Sequence, residues 1–368
     1  MTQANLAAKP SDSFVPNKEW KEIIKPGEQE LFEDFANRII TAQQREAAEQ
    51  AGGTLARGFH AKLHAGLVAE FKVLDNLPEY ARYGVFREPK VFPAVVRFSN
   101  GKPSQESDKR PEPRGIAIKL IGVPGDKLPP GKKDDVTQDF LATSHSVTST
   151  VRDARQFMAF IEAGRKGGLL PVHLARAVGI GESLRILFAL ARTVLLSRVN
   201  SMATEHYSGT APIKLGPYAV KFTVQPPEGT PRATPRPRTE NFLREELADR
   251  LRAGDLMFDF VVQFYVNDKV TPIEDTSVRW EPENSPFLKV AQLRIPSCNL
   301  NNPQTRELSN KINQLSFSPW HTTEEHRPLG NVMRARKIAY QVSSELRGHG
   351  AEPTSLTSLL NNSQAEQP

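Results

Sequence analysis

The sequence predicts an α+β fold in which an antiparallel β-barrel carries one central helical insertion. Two observations point there. Seven strand-like runs are separated by turns, without the regular strand-helix alternation of a doubly wound sheet. A single long apolar helical block lies between the fourth run and the fifth.

Taken in order, residues 1–25 form an extended arm, because Pro10, Pro16 and Pro26 break any continuous helix. A helix is expected from Glu28 to Gln50, closed by Gly52 and Gly53. The strand-like runs are Leu67–Leu74, Val91–Ser99, Gly115–Val123, Asp139–Ser144, Ala219–Gln225, Phe258–Asn267 and Val290–Ile295. Between the fourth and fifth lies the helical insertion, Leu169 to Val199, where Arg185, Arg192 and Arg198 leave a wide apolar face. The ordinary reading of that face is a core or subunit contact. The sharper one is a fatty-substrate entrance or peripheral membrane contact through 169–199, since a basic amphipathic helix can rest on a membrane surface. From 348 to 368 the composition turns to Ser, Thr, Asn, Gln and Pro, which predicts a disordered tail. The arm (1–25) and tail (348–368) thus bracket one domain, 26–347.

Composition excludes several classes. The net charge of +6 is spread over 368 residues, and the basic run Pro231–Arg238 is broken by proline with no aromatic interleaving, so no nucleic-acid surface is predicted. A lone cysteine, Cys298, cannot form an internal disulfide, and no Cys/His pair has zinc spacing. The first 20 residues lack the apolar core of a secretory signal, and no apolar run reaches membrane-span length. A cytoplasmic location is expected.

The chemistry concentrates in short motifs. In Arg336-Lys337-Ile338-Ala339-Tyr340, helical spacing stacks a guanidinium one turn from a phenol on one face. An isolated tyrosine keeps its proton to about pH 10, so a phenolate at neutral pH needs a fixed cation, a metal, or both. Arg347 follows seven residues later on the same face. Further upstream stand Arg57-Gly58-Phe59-His60-Ala61-Lys62, then Val95-Val96-Arg97-Phe98-Ser99-Asn100, then Glu112-Pro113-Arg114-Gly115-Ile116-Ala117-Ile118-Lys119. In an alternating strand Arg97 and Ser99 point to one face and Phe98 to the other.

These blocks, in this order, resemble the haem catalase superfamily, with Arg-x-x-His-Ala-Lys, Arg-Phe-Ser, Arg-Gly-hydrophobic-Ala-hydrophobic-Lys and the Arg-x-x-x-Tyr helix. The lead-in Leu315-Ser316-Phe317-Ser318-Pro319-Trp320 resembles its compact, catalase-related members. The resemblance implies an eight-stranded antiparallel barrel with helical insertions and a proximal ligand helix. It implies haem b (iron protoporphyrin IX), with Tyr340 as the axial ligand to iron, the ligation met in catalases, and Arg336 supporting the phenolate. His60 would be the distal acid-base, with His64 as the bland alternative. Ser99 would orient His60, and Arg57, Arg97 and Arg347 would hold the propionates. The implied activity is that of an oxidoreductase consuming hydrogen peroxide or organic hydroperoxides, of the kind met in oxidative stress. Alternatives are a fatty acid hydroperoxide isomerase of the allene oxide synthase type, a non-catalytic haem carrier or sensor, and a membrane-surface binding protein without haem. A monomer or small homo-oligomer is expected.

Two departures from the family pattern stand out. The distal asparagine of true catalases has no counterpart in Gln138-Asp139-Phe140-Leu141-Ala142-Thr143-Ser144-His145-Ser146, where Ser144 is the first candidate replacement and His145 the second. A hydroxyl donates one hydrogen bond where an amide offers two donors and an acceptor. Phe59, beside His60, is larger than the family's usual residue there and either restrains the histidine or packs into the barrel wall.

Overall fold

The computed structural model describes residues 14–50, 52–144, 150–166, 168–196, 199–233 and 236–361. All seven expected strands form: β1 (Leu63–Val73), β2 (Val91–Asn100), β3 (Arg114–Ile121), β4 (Thr137–Thr143), β7 (Tyr218–Gln225), β8 (Leu256–Phe264) and β9 (Leu288–Ile295). Two short strands, β5 (Tyr207–Ser208) and β6 (Ile213–Leu215), add to them. Every pairing is antiparallel, and the order β5-β4-β3-β2-β1-β9-β8-β7-β6 is joined end to end by a β5–β7 pairing. The result is a closed eight-stranded antiparallel barrel with β6 as a hairpin partner on β7. Closure removes the unpaired edges that an open sheet would expose.

Period-two alternation separates two faces of the wall. Inward residues such as Phe71, Phe98, Ile118, Phe140, Phe222 and Phe260 form one core. The rings of Phe222 and Phe260 stack 5.0 Å apart, and Phe140 meets Phe260 edge-on at 5.0 Å. The barrel interior is therefore filled by side chains, and any ligand must lie outside it. The outward residues of β2 and β3 are also buried, because helices cover them. Val95 and Ala117 pack against Ile312, Leu315 and Phe317.

The covering helix α7 (Pro303–Gln314) lies directly on β1. A glycine is required beneath it: a Cβ at Gly66 would stand 2.9 Å from Ile312, and the Gly66 N–H donates to Ser309 Oγ at 2.7 Å. The helix expected over Glu28–Gln50 runs as α1 (Glu28–Phe35), a π-helical turn (Ala36–Ile40) and α2 (Thr41–Gln50). Its apolar stripe, Phe32, Phe35, Ile39 and Ile40, packs with Ala154 and Met158 of α3 (Ala154–Arg165) and Val332 of α8 (Asn331–Arg347). Helix α8 is fixed at its start by Glu274, which accepts from the Asn331 N–H and Nδ2, and by Arg334, which pairs with Glu22, Glu28 and Glu274.

The insertion is two helices, α4 (Leu170–Val178) and α5 (Ile180–Leu196), broken at Gly179, whose φ of 86° ends the first. Helix α6 (Phe242–Ala253) seals one end of the barrel core through Phe242, Leu243, Leu247 and Leu251. The polar tail differs from the expectation of disorder. Glu352 forms a 2.7 Å ion pair with Lys119, and α9 (Leu356–Asn361) lays Leu356 and Leu359 on the Ile312–Phe317 cluster. Polar composition alone missed this, because two leucines and one carboxylate suffice to dock the segment. Residues 362–368 lie outside the described residues. No helix, among the described residues, is long and apolar enough to cross a membrane.

Candidate functional site

One cavity of about 830 Å³ lies between the outer face of β2–β4 and helices α1, α3 and α8. His60, Ser99, Arg57, Arg97, Arg336, Tyr340 and Arg347 all line it. Its size is within the usual range for small-molecule and cofactor sites.

His60 enters from the segment preceding β1. Its φ of 59° is left-handed, a conformation that costs a non-glycine residue about 1–3 kcal/mol. Three contacts hold it there: its N–H donates to Gly101 O (3.1 Å), its carbonyl accepts from Arg97 Nη2 (2.7 Å), and Nδ1 lies 3.1 Å from Ser99 Oγ. The strand parity expected of β2 is met, with Phe98 wholly inside the barrel and Arg97 and Ser99 on the cavity side. Gly115 of β3 makes room, since a Cβ there would stand 2.5 Å from His60 Nδ1. Burial, reinforced by the guanidiniums of Arg97 and Arg336, pulls the His60 pKa down to about 3, so its imidazole is neutral. His64 occupies different ground. It sits at the irregular register of β1, is fully buried, and is bound through Nε2 to Asn100 Oδ1 at 2.6 Å.

Tyr340 and Arg336 lie on α8. Arg336 Nη2 donates to Tyr340 Oη at 2.9 Å, with the guanidinium 5.1 Å from the ring centre. The i,i+4 stacking legible in the sequence is realised as a hydrogen bond.

The remaining arginines are unusual in what they lack. Arg57 donates to Asn313 O (2.8 Å) and Leu315 O (2.6 Å), Arg97 Nε to Asn313 Oδ1 (3.0 Å), and Arg347 to Gln314 O and Leu315 O (both 3.3 Å). Helix α7 and the turn after it thus gather three guanidiniums by their carbonyls. None has a carboxylate within ion-pair distance among the described residues, and the buried Arg57 Nε has no hydrogen-bond partner. Burial and mutual repulsion push the Arg97 pKa down to about 9 and that of Arg57 well below its ordinary value. Buried cations so arranged call for an anion.

Ser144 is not brought to the cavity. It is fully buried, its Oγ accepts from the Arg114 N–H (3.0 Å), and its own N–H donates to Arg114 O (2.8 Å). Thr143, one residue earlier, lines the cavity instead and pairs with Gly115, which pairs with Ser99. The signal was available: in period two, one residue changes the face. His145 lies outside the described residues. Phe59 does not enter the barrel wall; it joins the helical cluster of Phe32, Phe35 and Val332 and lines the cavity beside His60.

No protein-family model matches the chain. It is 28% identical, over 319 residues, to a catalase-related peroxidase of Mycolicibacterium paratuberculosis, covering 83% of this chain and 90% of that protein. Its fold is similar to a bacterial catalase (TM-score 0.61, 15% identity, 95% of this chain and 66% of that one). It is equally similar to a fungal catalase (0.61, 14%, 98% and 70%) and to catalase A of Saccharomyces cerevisiae (0.61, 14%, 94% and 70%). The chain thus has the fold of these catalases. It spans 66% to 70% of the length of these solved catalases.

The donor set of the cavity is coherent with haem. Among the described residues no group of three or more His, Cys, Asp or Glu could hold a metal ion unaided. An iron at Tyr340 would need its other donors from a macrocycle. The orphaned Arg57 Nε and the three guanidiniums without carboxylates match a cofactor that carries two carboxylates.

Proposed function

We propose that this protein is a haem b dependent oxidoreductase that consumes hydrogen peroxide or organic hydroperoxides. The observation carrying the reading is a neutral, Ser99-seated His60 and an Arg336-bound Tyr340 in one cavity, beside three guanidiniums that lack an anion. Haem bound there would supply the redox-active iron at which the peroxide O–O bond is cleaved.

The chain's own residues would do the rest. With Nδ1–H donated to Ser99 Oγ, His60 keeps Nε2 free to take the proton from one peroxide oxygen and return it to the leaving oxygen. A pKa of about 3 keeps that nitrogen an acceptor throughout the neutral range. Tyr340 would hold the haem iron through its Oη, and Arg336, which donates to that oxygen, would support it in that role. Arg57, Arg97 and Arg347 would hold the propionates. Thr143 is the hydroxyl on the His60 side, and offers fewer hydrogen bonds than an amide would.

The visible spectrum of the haem-supplemented protein, recorded beside Tyr340→Phe, tests the reading. A high-spin ferric phenolate spectrum in the parent, lost in the variant, is expected; absence of haem binding in both refutes it. Haem that binds stoichiometrically but never responds to hydrogen peroxide or cumene hydroperoxide would leave a carrier or sensor. An isomerase reading is favoured by one feature, the apolar wall of Phe157, Phe160, Ile161 and Leu190, which exceeds what hydrogen peroxide needs. Products separate the activities: oxygen, an oxidised donor, or a rearranged fatty hydroperoxide.

A further inference from the structure

Large apolar side chains that stay in water are few on this surface, and they cluster. Of the nine prominent ones among the described residues, five lie on the α4–α5 hairpin: Leu169, Val172, Ile180, Leu184 and Phe188, the last 74% exposed. Scattered exposed apolar residues need no explanation, whereas a contiguous patch marks a contact. Ile180, Leu184 and Phe188 follow at i, i+4 and i+8 and so form one stripe along α5. The opposite side of the hairpin is already committed, with Leu174, Ile186 and Leu187 packed against Val151, Phe157 and Ala163. The outward stripe is therefore surplus to folding.

Charge says what covers it. Each apolar row ends in an arginine on its own helical face, Val172 in Arg176 and Phe188 in Arg192, and exposed Lys166 stands at the end of α3. None of these three cations has an ion-pair or hydrogen-bond partner among the described residues. The hairpin's single acidic residue, Glu182, is bound by Arg152 (3.1 Å) and Arg185 (2.9 Å), which hold its pKa down to about 2. An apolar stripe rimmed by free cations, with its one carboxylate neutralised, is complementary to an anionic lipid surface.

The geometry points to the α4–α5 hairpin as a docking face for anionic membranes, with Ile180, Leu184 and Phe188 entering the acyl boundary and Lys166, Arg176 and Arg192 meeting headgroups. The helices lie on the bilayer and do not span it, consistent with their length. Leu190 of the same helix lines the cavity. Leu190 lies on the packed side of the helix, so docking would set the helix that backs the cavity, and not the cavity lining itself, against lipid. The proposal does not depend on the haem reading, because vesicle binding is read on the protein with or without cofactor.

Sedimentation of the full chain with phosphatidylcholine vesicles, with and without phosphatidylglycerol, is the test. Binding to the anionic vesicles is expected. Leu184→Glu/Phe188→Glu should weaken it by on the order of tenfold or more, through loss of apolar burial. Arg176→Gln/Arg192→Gln should weaken it roughly thirtyfold on anionic vesicles and hardly at all on neutral ones. All these residues are exposed, and circular dichroism checks that the variants fold. A parent that stays in solution overturns the proposal, as does binding that survives both double variants. A dimer that dissociates in Leu184→Glu/Phe188→Glu, with no vesicle binding, overturns it in favour of a second copy on this face.

Discussion

Gly115→Ala tests the seat of His60 with a single methyl group. Gly115 lies in β3 with no left-handed φ, so alanine imposes no backbone strain. The new Cβ would meet His60 Nδ1 at 2.5 Å, Cε1 at 2.6 Å and Ser99 Oγ at 2.9 Å. Ordinary contacts begin near ~3.5 Å, so the ring must retreat by about 1 Å. That shift stretches the 3.1 Å contact to Ser99 beyond hydrogen-bond range. Misplacing a reacting group by about 1 Å typically costs on the order of 100-fold in rate, or about 2.7 kcal/mol of barrier. The ring can move into the cavity, so the destabilisation should fall near the lower end of the ~1–3 kcal/mol usual for overpacking. The assay is the initial rate of peroxide loss per haem, with haem content fixed from absorbance. Turnover within about twofold of the parent, at full haem loading, would refute the argument that His60 must sit against Ser99.

Replacing His60 by Ala should lower peroxide turnover by orders of magnitude while haem stays bound, read from turnover and the visible spectrum together. Ser99→Ala removes only one hydrogen bond, about 1 kcal/mol, and should cost roughly fivefold in turnover. Acidification should destabilise the apoprotein. His326 accepts from the Val85 N–H through Nε2 (2.9 Å) and has its pKa lowered to about 4, and His321 to about 3, both chiefly by burial. Because these folded values lie below the unfolded 6.5, the stability they contribute is present above pH 6.5 and is lost as pH falls towards 4. The midpoint of thermal unfolding should follow that window, and His326→Gln should flatten it. Glu352→Gln leaves buried Lys119 with Asp139 alone and should lower stability by about 1–3 kcal/mol, seen as a lower urea midpoint at unchanged m-value.

Much of the barrel was legible because its strands are long and obey a strict parity, as in Phe98 inside and Ser99 outside. Strands β5 and β6 were not, since two or three residues give no period to detect. Helices α3, α6 and α7 went unread for another reason: α6 and α7 are rich in charged and amide side chains, and their burial follows from the barrel end and wall they cover. At the site, local spacing disclosed what one helix or strand determines, the Arg336–Tyr340 bond and the Arg97/Ser99 face. What depends on meetings between distant segments stayed hidden. Asn313, which collects Arg57 and Arg97, is 216 residues from Arg97. Assigning Ser144 to the cavity failed by one residue of strand parity, and the tail failed because Lys119, its partner, was unknown.

The way the barrel is shut also governs how it comes to be. Every junction in the ring joins strands that follow one another along the chain, save for the step past β6 and the seam between β1 and β9, where Phe71 meets Leu293. Hairpin-like neighbours can pair early as they leave the ribosome, whereas the seam must wait until about residue 295 has been made. Until then β1 presents a bare edge on one side. The seam should accordingly be among the last pairings to form and, if synthesis stalls, the place where aggregation begins.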